Sequence, residues 1–181
     1  MKQNNIRQTL EEHPVIPVVS FDKVADVEPT INLLIEKVIH CIEITLRNDC
    51  AFECIEKAIA LKKEAFSVGI GTVVSKEQIE KATKLGVHFM VSPGINQGLA
   101  DAFDSSGIPF IPGVSTPSEI ILGMQLGWDT FKFFPANLFG GSKALKTYCN
   151  VFPSIKFCPT GGISDEIHSS YLALKNVISV G

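Results

Sequence analysis

Short runs of apolar residues, many of them β-branched or aromatic, alternate along the chain with longer segments of helical periodicity. A short apolar run bounded by turn residues predicts a strand, and apolar positions three and four residues apart predict a helix. Ile31, Leu34 and Ile35 show the helical spacing in one segment, and Phe52 and Ile55 show it in the next. The strand pattern occurs at residues 15–21, 41–47, 68–73, 89–93, 110–115, 130–136, 156–162 and 177–181.

Residues that commonly begin and end helices occur between these predicted strands. A serine or threonine followed three residues later by glutamine or glutamate is typical of a capping box, in which side chains bind the first free amides of a helix. Between the predicted strands two such pairs occur, Ser75 with Gln78 and Thr116 with Glu119. We also expect Ser164 and Asp165 to begin the last helix. Glycines that suit a left-handed helix end follow three helical segments, at Gly86, Gly107 and Gly127.

Strict alternation of strands and helices predicts parallel strands joined by right-handed crossovers, and eight such strands close a (β/α)₈ TIM barrel. The competing architecture is a doubly wound open sheet. We favour the barrel because polar residues recur at the carboxyl ends of many predicted strands, where the active site of a barrel lies. With no Pro/Ser-rich linker, residues 1–181 are predicted to form a single domain. The sequence reaches only the eighth strand, so we expect a barrel truncated before its final C-terminal helix and marginally stable.

Composition narrows the class of function. The 181 residues are 45% hydrophobic and 19% charged, which suits one sizeable core. The formal charge of −3 comes from 16 basic and 19 acidic residues spread along the chain, without the concentrated basic patch that nucleic-acid binding requires. No segment has the ~20 consecutive apolar residues of a membrane helix, and the N-terminus lacks a signal core. We therefore expect a cytoplasmic protein that acts on a small molecule.

The cysteines indicate reduced thiols. Their number is odd and their spacing includes no CxxC pair, which argues against a disulfide framework and against a zinc site. Cys50 and Cys54 lie one helical turn apart, but buried free cysteines are far more common than a metal pair at this spacing. The five are Cys41, Cys50, Cys54, Cys149 and Cys158.

Lys132 is the most informative residue, because it lies in the apolar stretch TFKFFPA. Successive side chains of a strand point to opposite faces, so Lys132 and Phe134 share one face while Phe131 and Phe133 share the other. If the two outer phenylalanines pack against helices, Lys132 points into the barrel.

The stretch CIEITLR places two more charges on an interior face. Ile42 and Ile44 suit the helix-facing side, which leaves Glu43 and Arg47 on the interior. Buried charges are costly unless they pair, contact water or bind a substrate. One interpretation is an internal Lys–Glu–Arg salt network of purely structural value, although such networks often stabilise a protein poorly.

The alternative interpretation is covalent amine catalysis. A neutral lysine amine can attack a ketone to form an iminium, which then accepts electrons from a breaking carbon–carbon bond. Burial among aromatic rings lowers the pKa of an amine, whereas an ionised carboxylate nearby raises it. In this hypothesis Lys132 is the nucleophile and Glu43 moves protons.

Other strand ends carry groups that could contact a substrate. Gly161 and Gly162 follow Thr160 at the end of the seventh strand, where barrels commonly bind phosphate. Thr72 offers a hydroxyl to a carboxylate, and Pro93 could shape the wall of the site. All of these features also occur as ordinary loop geometry. The histidines lie away from strand ends, and we expect surface or packing roles for His13, His40, His88 and His168.

Six ordered motifs, EITLR, GIGTV, VSPG, PFIPGVSTPSE, FKFFPA and FCPTGGIS, together closely resemble the 2-keto-3-deoxy-6-phosphogluconate/4-hydroxy-2-oxoglutarate (KDPG/KHG) aldolases. These are class I enzymes of bacterial sugar-acid metabolism, and the resemblance covers almost the whole chain. It implies a lyase that cleaves KDPG or KHG to pyruvate and an aldehyde, glyceraldehyde 3-phosphate or glyoxylate, through a lysine Schiff base. It also implies a homotrimer with no metal and no organic cofactor.

The resemblance assigns roles to individual residues. Lys132 corresponds to the Schiff-base lysine, Glu43 to the acid/base and Arg47 to the group that binds the pyruvate carboxylate. Phe134 corresponds to the aromatic residue beside the Schiff base. The remaining matches are substrate-binding: Thr72 and Pro93 line the site, and Thr160, Gly161 and Gly162 form the phosphate-side loop.

The chain departs from the family pattern in two places. Asn137 follows FFPA where the family commonly has glutamate, which removes a charge beside the site. The family also continues past the eighth strand with a Gly-Ser segment, which completes the phosphate site, and with a helix. The alternative hypothesis is therefore a truncated, catalytically impaired barrel that binds pyruvate-like anions without turnover. A phosphosugar isomerase on the same fold, for which Lys132 would be expendable, is a third.

Overall fold

The computed structural model describes residues 2–61 and 63–181 of the chain. The strands are β1 (Val18–Val19), β2 (Cys41–Thr45), β3 (Ser67–Gly71), β4 (Phe89–Val91), β5 (Phe110–Ile111), β6 (Gly113–Val114), β7 (Thr130–Phe133) and β8 (Lys156–Pro159). The α-helices are α1 (Ile6–Glu12), α2 (Val27–Glu36), α3 (Ala51–Ala60), α4 (Lys76–Leu85), α5 (Gln97–Ser105), α6 (Pro117–Gln125), α7 (Gly141–Val151) and α8 (His168–Leu172). Two 3₁₀ turns cover Lys2–Asn5 and Val24–Asp26.

The strands pair in parallel and close into a barrel. One sheet has the order β1-β2-β3-β4-β5 and the other β6-β7-β8. Residues 177–180 bridge the two remaining edges, because Val177 pairs with Phe157 of β8 and Val180 pairs with Val15 just before β1. The (β/α)₈ prediction is therefore confirmed, and the open sheet is excluded.

Several predicted strands are longer than the ladders that form, and prolines account for two of the differences. Pro112 lacks an N–H, and it divides the fifth predicted strand into β5, which pairs with β4, and β6, which pairs with β7. Pro17 similarly limits β1 to two residues, although its carbonyl still accepts a hydrogen bond of 2.8 Å from the Glu43 amide.

The predicted helix boundaries are confirmed except at the last helix. Both capping boxes form, at the first residues of α4 and α6. Gly86, Gly107 and Gly127 have φ angles of 72°, 73° and 82°. The prediction that Ser164 and Asp165 begin the final helix is wrong, since α8 starts at His168 without a side-chain cap. The Ser164 hydroxyl instead binds the Glu166 carboxylate within the turn before the helix.

Two apolar layers follow from the alternation along the strands. The larger layer lies between the strands and the helices and includes Ile42, Ile44, Phe131 and Phe133. The smaller layer fills the lower barrel, where helix α1 contributes buried apolar side chains to the strand interior. Its buried members are Ile6, Leu10, Ile16, Cys41, Phe89, Val91, Ile111 and Cys158. The polar interior residues Glu43 and Lys132 follow these apolar positions toward the carboxyl ends of their strands.

Candidate active site

Lys132 points into the barrel, as its strand alternation predicts. Phe131 and Phe133 are fully buried in the layer against the helices, and helix α6 approaches so closely that a Cβ atom on Gly123 would lie 2.3 Å from the Phe131 ring. The Lys132 side chain is only 6% exposed. Its amine therefore cannot reach bulk water along its alkyl stem.

Glu43 is the partner of this amine. The Lys132 Nζ atom lies 3.1 Å from Glu43 Oε1 and 3.4 Å from Oε2, and the glutamate side chain is 5% exposed. The two strands are not neighbours: β3, β4 and the β5–β6 strand separate them on one side, and β1, residues 177–180 and β8 on the other. The ion pair therefore spans the barrel interior.

Gly71 provides the space that Glu43 occupies. A Cβ atom at this glycine would lie 2.1 Å from Glu43 Oε1, far inside van der Waals contact. Any side chain at the end of β3 would therefore displace the carboxylate from its position beside Lys132. Gly71 of the GIGTV motif thus contributes to the site because it has no side chain and leaves room for the Glu43 carboxylate.

Cys158 lies on the strand next to Lys132, and the two residues are register partners in the β7–β8 pair. Burial raises the pKa of the Cys158 thiol to about 11, and the nearby lysine opposes this only in part. Burial likewise raises the pKa of Cys41 to about 12. Both thiols are therefore neutral at physiological pH and behave as packing groups rather than as nucleophiles.

A cavity of about 680 Å³ lies on one side of the barrel, where Val15 and Ile39, which precede β1 and β2, line it together with residues at the carboxyl ends of the strands. Arg47, Phe134, Thr160, Gly161 and Gly162 all line it. Lys132 does not line the cavity itself, but its Nζ atom lies 5.3 Å from the centroid of the Phe134 ring that does. The Phe134 ring thus lies between the amine and the cavity. The Arg47 side chain is exposed to solvent at the edge of the cavity.

The loop after β8 presents backbone donors to this cavity. Gly161 and Gly162 have φ angles of 104° and 69°, which a side chain rarely tolerates. Within the described residues, the N–H groups of Gly161, Gly162 and Ile163 have no hydrogen-bond acceptor. Successive free amides in such a turn form a concave anion site.

Asn137 packs against this loop. Its amide N–H donates to the Gly161 carbonyl at 3.2 Å, and a Cβ atom on Gly162 would lie 2.7 Å from the Asn137 side chain. The residue that departs from the family pattern therefore supports the conformation of the glycine turn.

Thr72 and Pro93 lie at neighbouring strand ends, half-buried, and neither lines the large cavity. Thr72 has a φ angle of 63°, an unusual and strained conformation for a β-branched residue. The Pro93 backbone lies so close to β6 that a Cβ on Gly113 would be 2.2 Å from its carbonyl oxygen. Tight packing against β6 thus holds the Pro93 loop at the end of its strand.

Two of the histidines have the packing roles expected of them. His13 Nε2 lies 3.1 Å from the Ser67 hydroxyl, and His88 Nδ1 accepts a hydrogen bond from the Val68 amide at 3.0 Å. His168 differs, because it lines the cavity beside the glycine turn. No sequence signal indicated this, since the position of His168 depends on how the loop after β8 folds back.

Neither a metal cluster nor a disulfide forms in the part of the chain that the structure covers. No group of three or more His, Cys, Asp or Glu side chains is arranged to hold a metal there, and the five cysteines are free. None of the helices in the described ranges is both long and apolar enough to cross a bilayer.

Comparison with known proteins gives one consistent family. The family model described as KDPG and KHG aldolase matches residues 6–181. The chain is 42% identical over 168 residues to the KHG/KDPG aldolase of Escherichia coli K12, covering 93% of this chain and 78% of that protein. It is also 42% identical over 179 residues to the 2-dehydro-3-deoxy-phosphogluconate aldolase of Dickeya dadantii, covering 99% and 84%.

Solved structures agree with these sequence matches. The KDPG aldolase of Zymomonas mobilis ZM4 with 3-phosphoglycerate superposes with a TM-score of 0.94 at 35% identity, covering 99% of this chain and 85% of that one. The KDPG aldolase of Legionella pneumophila, with pyruvate captured at low pH as a covalent carbinolamine intermediate, gives a TM-score of 0.93 at 38% identity. That match covers 100% of this chain and 86% of the other.

Proposed function

Since the chain belongs to the KDPG and KHG aldolase family, we propose that it is a class I aldolase that cleaves KDPG or KHG to pyruvate and an aldehyde. The buried Lys132–Glu43 pair at 3.1 Å is the observation that carries this proposal. It places a potential nucleophile and a potential proton acceptor in direct contact, beside a cavity with anion-binding groups.

Formation of the Schiff base requires a neutral amine. Glu43 is close enough to accept a proton from the Lys132 ammonium directly, which leaves a neutral amine beside a neutral acid. The amine then attacks the C2 carbonyl of the substrate to give a carbinolamine. Glu43 donates its proton to the departing hydroxyl, so that water leaves, the iminium forms and Glu43 becomes a carboxylate. The covalent carbinolamine named for the Legionella pneumophila enzyme supports this step for the present chain.

Cleavage follows from the electron demand of the iminium. Glu43, as carboxylate, removes the proton of the C4 hydroxyl, the C3–C4 bond breaks, and its electron pair forms an enamine with the iminium carbon. The aldehyde, glyceraldehyde 3-phosphate or glyoxylate, leaves. Protonation of the enamine at C3 and hydrolysis of the resulting iminium release pyruvate and restore the Lys132 amine.

The two ends of the substrate have separate partners in this proposal. Arg47, exposed at the mouth, binds the pyruvate carboxylate, and Phe134 packs beside the reacting carbon. Thr72 and Pro93 form part of the rim of the site. Thr160, Gly161 and Gly162 bind the anionic group at the other end of the substrate. The 3-phosphoglycerate named with the Zymomonas mobilis enzyme supports a phosphate at that end, because the free amides of the glycine turn suit one.

Borohydride reduction in the presence of pyruvate tests the covalent step. The expected result is a stable mass increase on the peptide that contains Lys132, and no increase in the Lys132→Met variant. Cleavage of KDPG and KHG, followed as pyruvate release, should disappear in the same variant. Lys57→Met is a matched control, because that lysine forms a surface ion pair with Glu28 at 2.8 Å.

The same experiment separates the competing hypotheses. Pyruvate binding without an adduct or turnover would favour the catalytically impaired barrel. Activity that survives Lys132→Met would favour a phosphosugar isomerase, which needs only acid/base residues. Either outcome would overturn the Schiff-base proposal.

The assembly and location are part of the proposal. We infer a homotrimer that acts in the cytoplasm on its keto-acid substrate without a metal or organic cofactor. Leu138 and Phe139, which are 74% and 46% exposed on one loop, support an interface between copies, and the five free cysteines suit a reducing compartment.

Sedimentation should give three times the chain mass, and Leu138→Asp should lower the measured mass. Val38→Asp, at a site 78% exposed, is the control. A monomeric parent protein would contradict the proposed assembly.

A further inference from the structure

The cavity beside the active site contains one titratable ring that the proposed mechanism does not use. His168, the first residue of α8, lines this cavity together with Gly161 and Gly162 of the anion-binding turn. The imidazole is half-buried rather than free on the surface. The ring lines the same cavity as the free glycine amides and follows them closely in the chain, which points to a role in the distal part of the substrate site.

The hydrogen bond of the His168 ring defines its tautomer. Nδ1 lies 2.8 Å from the Asp165 carbonyl oxygen, and a carbonyl can only accept. Nδ1 therefore carries a hydrogen, and Nε2 is the nitrogen that remains for another partner. Among residues 2–61 and 63–181, none makes a hydrogen bond to Nε2. The turn at 165–167 thus fixes the ring by one nitrogen and leaves the other available.

We propose that His168 determines specificity by binding the terminal phosphate of a phosphorylated keto-acid substrate through Nε2, together with the amides of Gly161 and Gly162. This inference rests on the proposed aldolase function and deepens it. With the hydrogen of the neutral ring on Nδ1, Nε2 accepts a hydrogen bond from the hydroxyl of a phosphate monoanion, whereas the imidazolium donates its Nε2 hydrogen to a phosphate oxygen. In both cases Nε2 and a phosphate oxygen share one hydrogen bond.

Charges around the cavity are few, which makes the effect of His168 measurable. The charged or titratable side chains that line it are Arg47, Asp165 and His168. Arg47 lies at the mouth and, in the proposed function, binds the carboxylate at the other end of the substrate. Asp165 opposes anion binding, while neighbouring Glu166 is exposed and has its pKa lowered by the Ser164 hydroxyl. A hydrogen bond from His168 to a bound phosphate would therefore act against the repulsion from acidic groups on the neighbouring turn.

Comparison of two substrates provides the test. KDPG carries a terminal phosphate, whereas KHG ends in a carboxylate closer to the reacting carbon. His168→Gln should raise the KM for KDPG roughly ten- to hundredfold, as expected for loss of a hydrogen bond to a charged group. The kcat for KDPG and both parameters for KHG should stay near the parent values. Asp165→Asn should lower the KM for KDPG, because it removes a repulsive charge.

Binding of inorganic phosphate gives a readout that does not depend on turnover. Titration of phosphate into protein labelled with ¹⁵N-histidine should shift Nε2 of His168 and leave His88 unchanged. His88→Gln is the matched control for both experiments, because that ring binds the Val68 amide and does not line the cavity.

The outcomes separate this inference from the aldolase proposal. Equal losses for KDPG and KHG in His168→Gln, an unchanged KM for KDPG, or no phosphate-dependent shift of Nε2 would each overturn the role of His168. If His168→Gln does not fold, as judged by circular dichroism, His168→Asn and the phosphate titration of the parent protein decide the question. Failure of borohydride trapping would instead reject the Schiff-base chemistry and leave the phosphate result standing.

Discussion

The Lys132 Nζ and Glu43 Oε1 atoms lie 3.1 Å apart across the interior of the barrel, on strands β7 and β2, which face each other. Each side chain is more than nine-tenths buried. A pair in this position loses most of its hydration, so its attraction must compensate for desolvation. The same enclosure brings an amine and a carboxylate together in an apolar setting, where they can exchange a proton.

The stability of the protein should depend on this pair in a non-additive way. Breaking a buried ion pair by removing one partner typically costs about 3–5 kcal/mol, because the other charge remains buried. We expect Lys132→Met and Glu43→Gln each to lower the free energy of unfolding by roughly this amount, and the double variant to lower it by clearly less than the sum. Urea denaturation of the four proteins measures the coupling.

The exposed Lys57–Glu28 pair provides the control cycle for that experiment. Its nitrogen–oxygen distance is 2.8 Å, yet both side chains are more than a third exposed. Solvent screening and lost side-chain entropy leave surface pairs little net effect on stability, so the coupling between Lys57→Met and Glu28→Gln should be small. Equal coupling energies in the two cycles would contradict the role assigned to burial.

Gly71→Ala should reduce activity by displacing the Glu43 carboxylate. The added Cβ would lie 2.1 Å from Oε1, so the glutamate must move away from Lys132. Loss of a positioned acid/base group typically lowers kcat by about 10²–10⁴-fold. Steady-state kinetics on KDPG, together with Glu43→Gln as a reference, measures the effect.

Gly69→Ala separates this effect from general destabilisation. A Cβ at Gly69, two residues earlier on β3, would lie 2.2 Å from the Phe89 ring in the lower barrel. We expect it to lower the unfolding midpoint while the folded protein keeps a kcat close to that of the parent. If both variants lost kcat equally, positioning of Glu43 could not explain the effect of Gly71→Ala.

Gly162→Ala should weaken binding of the phosphorylated substrate. Gly162 has a φ angle of 69°, and an added Cβ would lie 2.7 Å from the Asn137 side chain, so the turn must shift. A left-handed conformation costs an alanine roughly 1–2 kcal/mol. Gly107→Ala is the control for this cost, because Gly107 has a φ angle of 73° but open space where a Cβ would lie. Gly162→Ala should therefore lose at least as much stability as Gly107→Ala, because its added Cβ also meets Asn137, but only Gly162→Ala should raise the KM for KDPG. An unchanged KM in Gly162→Ala would argue against phosphate binding at this turn.

The buried thiols should make the protein less stable at alkaline pH. Folding raises the pKa of Cys158 and Cys41 above the ordinary thiol value of 9.0, to about 11 and about 12, so it favours their protonated forms. Their contribution is fully present below pH 9 and is lost as pH rises through the folded-state values. Each thiol should add on the order of 1 kcal/mol per pH unit to the decline above pH 9.

Denaturation at several pH values between 8 and 10.5 tests this prediction. Cys158→Ala should flatten the decline relative to the parent protein, whatever the packing cost of the substitution at pH 8. Cys149→Ala is the control, because Cys149 is only half-buried on helix α7. A decline of the same steepness in Cys158→Ala would show that the thiol does not carry the effect.

Local patterns in the sequence were sufficient for the strand faces and most helix boundaries. Alternation in CIEITLR and TFKFFPA predicts which side chains point inward, because the two-residue period of a strand is a property of the backbone itself. The capping boxes at Ser75 and Thr116 are equally local, since each involves only the first turn of its helix. The family resemblance assigns a role to Lys132 from sequence motifs alone.

The tertiary structure alone decided which inward-facing groups meet. The Lys132–Glu43 contact joins residues 89 positions apart and exists because residues 177–180 close the barrel between β8 and β1. The late start of α8 and the place of His168 in the cavity depend in the same way on how the loop after β8 folds against its neighbours. The sequence determined the direction of each side chain through local backbone geometry. Distances between strands depend on closure of the whole sheet, which no short stretch of the chain encodes.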